Sequence, residues 1–283
     1  MNEAAVNCGI FTWFVYKRPF NEKLDLIKSA GFDAICSWWG DAFMELDGPA
    51  EDHVRLAREK GLVLENAHLP YHEQDLLWQD SAAGLEFEIK LKRELTQAAR
   101  AEIPLLVIHP YRTRGILRWG DQDVFFQRAR RLTEAAGQLG IKLAWENLYE
   151  SRLLRSLLDH LADLPAAGFC FDSGHAHLSR DGALSLLADY PKKLFAIHLH
   201  DNDGQTDQHG LPGQGTFPWP VFMDLLMRTD YKGSLMLESC YPFDQEKADR
   251  EQSHAYLEPD LPPQDYLATA VAVCRQLGLT HRV

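Results

Sequence analysis

Two hydrophobic periods alternate along this chain from end to end. Short runs dense in Val, Ile, Leu, Phe and Cys, with the length and composition of buried strands, fall at 7–12, 33–37, 62–67, 105–109, 142–146, 168–172, 194–198 and 234–238. Each is followed by a longer stretch whose apolar residues recur every three to four positions, the mark of a helix with one buried face. These stretches are 22–30, 50–59, 84–101, 121–139, 152–161, 182–188, 220–228 and 264–277. Several end in glycine, at Ala30-Gly31, Lys60-Gly61 and Leu139-Gly140, where a left-handed cap would stop the helix and start the next strand.

Strands that are apolar throughout and alternate with amphipathic helices predict a parallel sheet covered by helices. Eight such units in 283 residues match a closed (β/α)8 TIM barrel, the α/β fold class expected here; an open doubly wound sheet is the alternative. No shift of composition and no Pro/Ser/Gly linker divides the chain, so 1–283 reads as a single TIM-barrel domain. The polar stretch 242–263 reads as a long surface loop, placed to cover the active face.

Composition changes this picture little. With 46% hydrophobic and 25% charged residues the chain is ordinary for a globular protein. Cys8, Cys36, Cys170, Cys240 and Cys274 are odd in number, scattered and free of any CxxC pair, which argues against a disulfide framework and a zinc ribbon. The acidic N-terminus passes straight into a strand-like run, unlike a signal peptide, and no apolar run reaches membrane-spanning length, so a cytoplasmic protein with no membrane partner is expected. A net charge of −12 disfavours nucleic acid as a partner, though a local basic face could survive inside it. A homo-oligomer stays open.

In a barrel the C-terminal ends of all strands meet on one face, so distant residues become neighbours there. The ends read Ala67-His68-Leu69-Pro70, Ile108-His109-Pro110, Trp145-Glu146-Asn147, Phe171-Asp172-Ser173-Gly174-His175, His198 with Asp207 and His209 beyond it, and Leu237-Glu238-Ser239. Asp, Glu and His are about one residue in five of the chain, too few for all six ends to carry one by coincidence. A charged group at the end of a buried strand is costly unless paired or bound to a cation, and imidazole with carboxylate suits Zn²⁺, Mn²⁺ or Fe²⁺. These ends therefore predict a divalent metal centre; a hydrogen-bonded polar layer capping the barrel is the plainer reading.

On the spaced motifs HLP, VIHP, WEN, FDSGHAH, HLHD, DQHGLPGQG and LES, the chain resembles the xylose-isomerase-like superfamily of TIM barrels. That group holds sugar isomerases and epimerases, inosose dehydratases and the endonuclease IV type of abasic-site nuclease. The resemblance implies a mononuclear sugar site at Glu146, Asp172, His198 and Glu238, with His175 near the substrate. The trinuclear nuclease site adds His68, His109, His175, Asp207 and His209, so one to three Zn or Mn ions are expected. Where family members often show Gly-Glu-Gly, this chain has Gly213-Gln214-Gly215, which removes an acid from that turn.

Around this set, Trp13, Phe14, Trp38, Trp39 and Tyr71 follow the first three strands and either wall a substrate or pack the barrel mouth; Trp13, Trp38 and Tyr71 are the substrate-contact candidates. Arg112, Arg114 and Arg118 follow His109 and either clamp an anion, with Arg112 the first candidate, or belong to a solvated loop. His177 and His200 follow His175 and His198 at a spacing of two and are left out of the expected ligand set. No lysine ends a strand, which removes a Schiff-base nucleophile, and no GxGxxG opens a helix after the first strand, which leaves a nicotinamide site unsupported.

Three functions fit. The leading expectation is a metal-dependent isomerase or epimerase of a sugar, sugar phosphate or keto-polyol. It would work by proton abstraction next to a carbonyl, with Glu146 and Glu238 as the two proton-transfer groups and His175 holding a substrate oxygen. The second is an endonuclease IV-like trinuclear zinc phosphodiesterase. The third is a non-catalytic barrel that binds a metal or a small polyol.

Overall fold

The computed structural model describes residues 7–40, 44–179, 181–242 and 259–279. Eight parallel strands, β1 Cys8–Phe11, β2 Ala34–Trp38, β3 Val63–His68, β4 Leu105–Ile108, β5 Lys142–Glu146, β6 Ala167–Asp172, β7 Leu194–His198 and β8 Leu235–Leu237, lie in the spatial order β7-β6-β5-β4-β3-β2-β1-β8. The sheet closes between its two edge strands just above β7: Leu199 bridges Leu237 in parallel, its amide donating to the Met236 carbonyl at 2.9 Å while the Glu238 amide donates back to Leu199 at 3.0 Å. This is the expected (β/α)8 barrel, with strand ends within about two residues of those read from the sequence.

The helices are α1 Phe20–Ala30, α2 Met44–Asp47, α3 His53–Glu59, α4 Ala82–Arg100, α5 Ile116–Trp119, α6 Gln122–Gln138, α7 Ser151–His160, α8 Ser173–Leu178, α9 Leu186–Asp189, α10 Trp219–Leu226 and α11 Pro263–Leu279. Local chemistry sets their ends. Ser81 and Asp121 accept from the amides of Gly84 and Val124 at the starts of α4 and α6, and Gly31, Gly61 and Gly140 all sit at positive φ where helices stop. Two expected helices are shorter than read: 50–59 opens with a 3-10 turn before α3, and 182–188 divides into a 3-10 turn, Ala183–Ser185, and α9. The expected loop at 242–263 lies mostly outside the described residues. No helix among the described residues is long and apolar enough to cross a membrane.

Two hydrophobic layers fill the molecule. The larger packs strands against helices. A smaller cluster made only of strand residues, Leu105, Val107, Ala144, Cys170 and Ala196 with Phe195 against it, forms part of the inner lining. Its positions decide where the chemistry goes, because side chains on a strand alternate between faces. Leu105 and Val107 share a parity with His109, Ala144 with Glu146, Cys170 with Asp172, and Ala196 with His198. The same inward rows that hold small apolar groups lower in the barrel therefore present ionisable ones at its top.

Candidate metal centre

Glu146, at the end of β5, stands at the middle of four imidazoles. Its Oε2 lies 3.1 Å from His68 Nε2 and 3.4 Å from His198 Nδ1, and its Oε1 lies 3.1 Å from His175 Nδ1 and 3.5 Å from His109 Nε2. Glu238 Oε2 lies 2.8 Å from His198 Nδ1. Asp172 Oδ1 caps α8 by accepting from the His175 amide at 2.6 Å, and lies 3.4 Å from His175 Nδ1. On the outer side, Asp207 Oδ2 lies 3.3 Å from His175 Nε2 and 3.7 Å from His209 Nε2. The nine residues expected from the sequence thus converge at one mouth, although they span the chain from β3 to β8.

Backbone contacts fix the cluster from behind. Asn147, next to Glu146, exchanges two hydrogen bonds with Asp172: its Nδ2 donates to the Asp172 carbonyl at 2.9 Å and its Oδ1 accepts from the Asp172 amide at 2.8 Å. The ends of β5 and β6 are thereby locked in register. Asp201, the last residue of HLHD, is buried and accepts from the amides of Asn202, Gly213 and Phe217 and from Trp219 Nε1. That carboxylate folds the loop carrying Asp207 and His209 back over the mouth. Gln214 belongs to the same loop and accepts from the Leu211 amide at 2.8 Å, so its side chain is spent on holding a turn.

Three features of the donor set favour a cation. First, His68 Nδ1 lies 2.7 Å from the Leu69 carbonyl and His209 Nδ1 lies 2.9 Å from the Glu238 carbonyl. A carbonyl only accepts, so both Nδ1 atoms donate, which fixes each ring with its Nε2 turned toward a carboxylate, the arrangement of a metal-binding imidazole held from behind. Second, His175 Nδ1, His198 Nδ1, Glu238 Oε2 and Asp207 Oδ1 are buried without an aligned hydrogen bond among the described residues, although some stand at ion-pair distance. Third, donor atoms fall within 4.8 Å of one another in three groups: Glu146, Asp172, His198 and Glu238; His68, Glu146 and His198; and His200, Asp207 and His209. All are nitrogen or carboxylate oxygen, the donor chemistry of a borderline divalent ion.

Charge states follow from the same proximity. Burial alone would raise the Glu146 carboxyl, but His109, His175 and His198 hold it well below the usual carboxylate range. Glu238 is lowered to about 2, its pairing with His198 overcoming burial. Burial disfavours protonation of His175, yet Asp172 and Asp207 push it well above the ordinary imidazole value; at His109 burial wins and the value falls. Glu146 and Glu238 are therefore ionised at neutral pH and able to hold a cation.

Aromatic rings surround the set. Trp38 meets His68 edge-on at 5.0 Å, Tyr71 stacks on His109 at 5.0 Å and Trp13 meets His209 edge-on at 5.5 Å. Trp39 and Phe14 are buried in the larger core cluster instead. Arg112 is exposed and turned along the rim, donating to the His72 carbonyl at 3.3 Å, while Arg114 lies 4.0 Å over the ring of Tyr149, which meets His175 edge-on at 5.2 Å. Tyr149 is not among the contacts the sequence predicts, and its place three residues after Glu146 is the one signal for it.

One expectation is corrected. His200, set apart from the ligands in the sequence reading, lies two residues beyond His198 at the end of β7 and so shares its parity instead of opposing it. The His200 ring is fully buried, with Nε2 3.0 Å from both oxygens of Asp172 and Nδ1 3.8 Å from Asp207 Oδ1. Burial would lower its pKa, but Asp172 raises it to about 9. His177 is outside the cluster as expected, its Nε2 2.8 Å from Thr216 Oγ1, although it lies on α8 and not on a strand.

The family profile described as xylose isomerase-like TIM barrel matches residues 24–259. A 3-dehydroshikimate dehydratase of Pseudomonas putida is 26% identical over 257 residues, covering 84% of this chain but only 39% of that enzyme. The chain thus spans about two fifths of the dehydratase's length. A D-psicose 3-epimerase of Enterocloster bolteae is 22% identical over 242 residues, covering 80% of this chain and 77% of the epimerase. Among solved structures, D-psicose 3-epimerase from Clostridium cellulolyticum H10, with D-tagatose, superposes with a TM-score of 0.76 at 14% identity over 96% of this chain and 99% of that one, a likeness of fold. Barrel, strand-end motifs and profile agree: the chain belongs to the xylose isomerase-like TIM-barrel family.

Proposed function

We propose that the protein is a divalent-metal-dependent isomerase or epimerase of a sugar or keto-polyol, working by proton abstraction beside a carbonyl. The observation that carries this reading is the ring of Glu146, Asp172, His198 and Glu238, all buried and with donor atoms within 4.8 Å. Its relatives, a sugar epimerase and a dehydratase, support it. A cation held by these four residues would polarise adjacent carbonyl and hydroxyl oxygens of the substrate and stabilise charge developing on them. Glu238, next to β8 on the far side of the site from β5, is the candidate for taking the proton. Glu146 faces the same space from β5 and is the candidate for returning it. His175, between Glu146 and Asp207 at the same mouth, is the candidate for holding a substrate oxygen. Trp13, Trp38 and Tyr71 would exclude water and bound the sugar's apolar face.

The test is solvent exchange. Incubation of Mn²⁺-loaded protein with ketohexoses in deuterated water should place deuterium on the carbon next to the carbonyl. Absence of exchange with every neutral, acidic and phosphorylated ketose tried, from protein carrying stoichiometric metal, would count against the reading.

A second reading, metal-dependent phosphodiester hydrolysis, is favoured by the additional group His200, Asp207 and His209, which would extend the site to more than one ion. The net charge of −12 weighs against a polyanionic substrate. Cleavage of an abasic-site duplex by zinc-loaded protein would restore it.

A further inference from the structure

His200 is joined to the strand-end group through Asp172. Its Nε2 is 3.0 Å from each carboxylate oxygen, and a carboxylate at this site only accepts, so the ring donates one bifurcated hydrogen bond. Asp172 Oδ1 also accepts from the His175 amide at 2.6 Å. Both oxygens are thus tied from behind, and the carboxylate is fixed in its orientation toward the space shared with Glu146, His198 and Glu238.

Both the backbone and the ring of His200 are held in place. Ser173 Oγ donates to the His200 carbonyl at 2.7 Å and accepts from its amide at 2.9 Å. The ring stacks on His209 with centroids 4.0 Å apart and planes 11° from parallel. The remaining face is filled by the backbone of Gly174. A Cβ at that position would stand 1.8 Å from His200 Cε1 and 2.3 Å from Nδ1, so no larger residue fits beside the ring where it lies. Gly174 is not at positive φ, so space and not backbone conformation requires glycine there.

We infer that His200 is the positioning residue that orients the Asp172 carboxylate for cation binding, and that Gly174 is the seat that admits its ring. The inference rests on the proposed role of Asp172 as a ligand. Imidazole or carboxylate groups behind a ligand orient it, and their loss weakens metal binding about 10- to 100-fold.

Equilibrium dialysis of Mn²⁺ against the full chain tests it. His200→Ala should weaken Mn²⁺ binding about 10- to 100-fold. His200→Gln, which keeps an N–H near the position of Nε2, should recover most of the loss. Gly174→Ala should weaken binding in the wild-type background by displacing the ring, and should have no further effect once His200 is alanine. Thermal unfolding of each metal-free variant checks that it is folded, and the rescue and the dependence of Gly174 on His200 are effects a general loss of packing would not produce. Wild-type affinity in His200→Ala, glutamine no better than alanine, or a Gly174→Ala loss that adds fully to that of His200→Ala would each overturn the inference while leaving the metal reading intact. Failure of the wild-type chain to bind Mn²⁺ would overturn both.

Discussion

The mouth of the barrel holds two donor groups built in different ways. Glu146, Asp172, His198 and Glu238 come from the last residues of β5, β6 and β7 and the residue after β8, and all four are buried. Asp207 and His209 come from a loop and are partly exposed, with side chains 27% and 16% accessible. The first group is placed by the sheet itself: inward parity, the lock between Asn147 and Asp172, and parallel pairing fix it to the rest of the fold. The second group depends on the Asp201 carboxylate and the turn held by Gln214. Strand-end ligands follow from the fold once the barrel forms; loop ligands need their own scaffold, and that scaffold can change without disturbing the barrel.

The strongest way to break this contrast is to compare amide substitutions in the two groups. Glu238→Gln should lower turnover about 10²- to 10⁴-fold, the range for loss of a proton-transfer group. Asp207→Asn should lower it less than about tenfold if a single ion on the strand-end group does the chemistry. Steady-state rates with metal content measured on the same samples decide it: an equal fall in Asp207→Asn, with loss of a second equivalent of metal, would erase the distinction.

A middle-sized effect is expected at Asp201. Asp201→Ala leaves the amides of Gly213 and Phe217 and the Trp219 indole without their acceptor, at a cost of about 3 kcal/mol. Chemical unfolding should show that loss. Metal titration should show it confined to the loop pair, so a defect of equal size in the strand-end group would mean that the two scaffolds are one.

The smallest effect is a pH dependence of the metal-free protein. Glu238 is lowered to about 2, against about 4.3 in an unfolded chain, so its stabilising contribution is present above about pH 4.3 and lost as pH falls toward 2. His200 is raised to about 9 from about 6.5, so its contribution is present below about pH 6.5 and lost as pH rises through 9. Thermal unfolding temperature should decline on both sides of that window; a flat profile from pH 6.5 to 9 would show that His200 is not held by Asp172.

What the sequence reveals divides along the same line. Buried parallel strands are written as short apolar runs, so β5 and β7 are read to the residue, and the ionisable residues closing those runs stand out in the amino-acid order alone. The elements missed, α2, α5 and α8, are four to six residues long, too short to show a helical period. Read with a period of two, His200 shares the parity of His198 and falls at the same mouth; treating the two as alternating misplaces it. Arg114 is indistinguishable from Arg112 in the sequence because a loop has no period to assign its faces; only the fold shows which guanidinium lies over Tyr149.

The seam of the barrel carries a last consequence. Around most of the circumference neighbouring strands pair over several residues, but the closure between β7 and β8 is a single bridge at Leu199 and Leu237. His198 and Glu238 stand on opposite sides of that seam, 2.8 Å apart. A ligand gripping both would act as a rivet across the least stitched line of the cylinder. Breathing of the barrel and occupancy of its mouth are then one equilibrium, and the amides of Leu199 and Glu238 are where hydrogen exchange would report it.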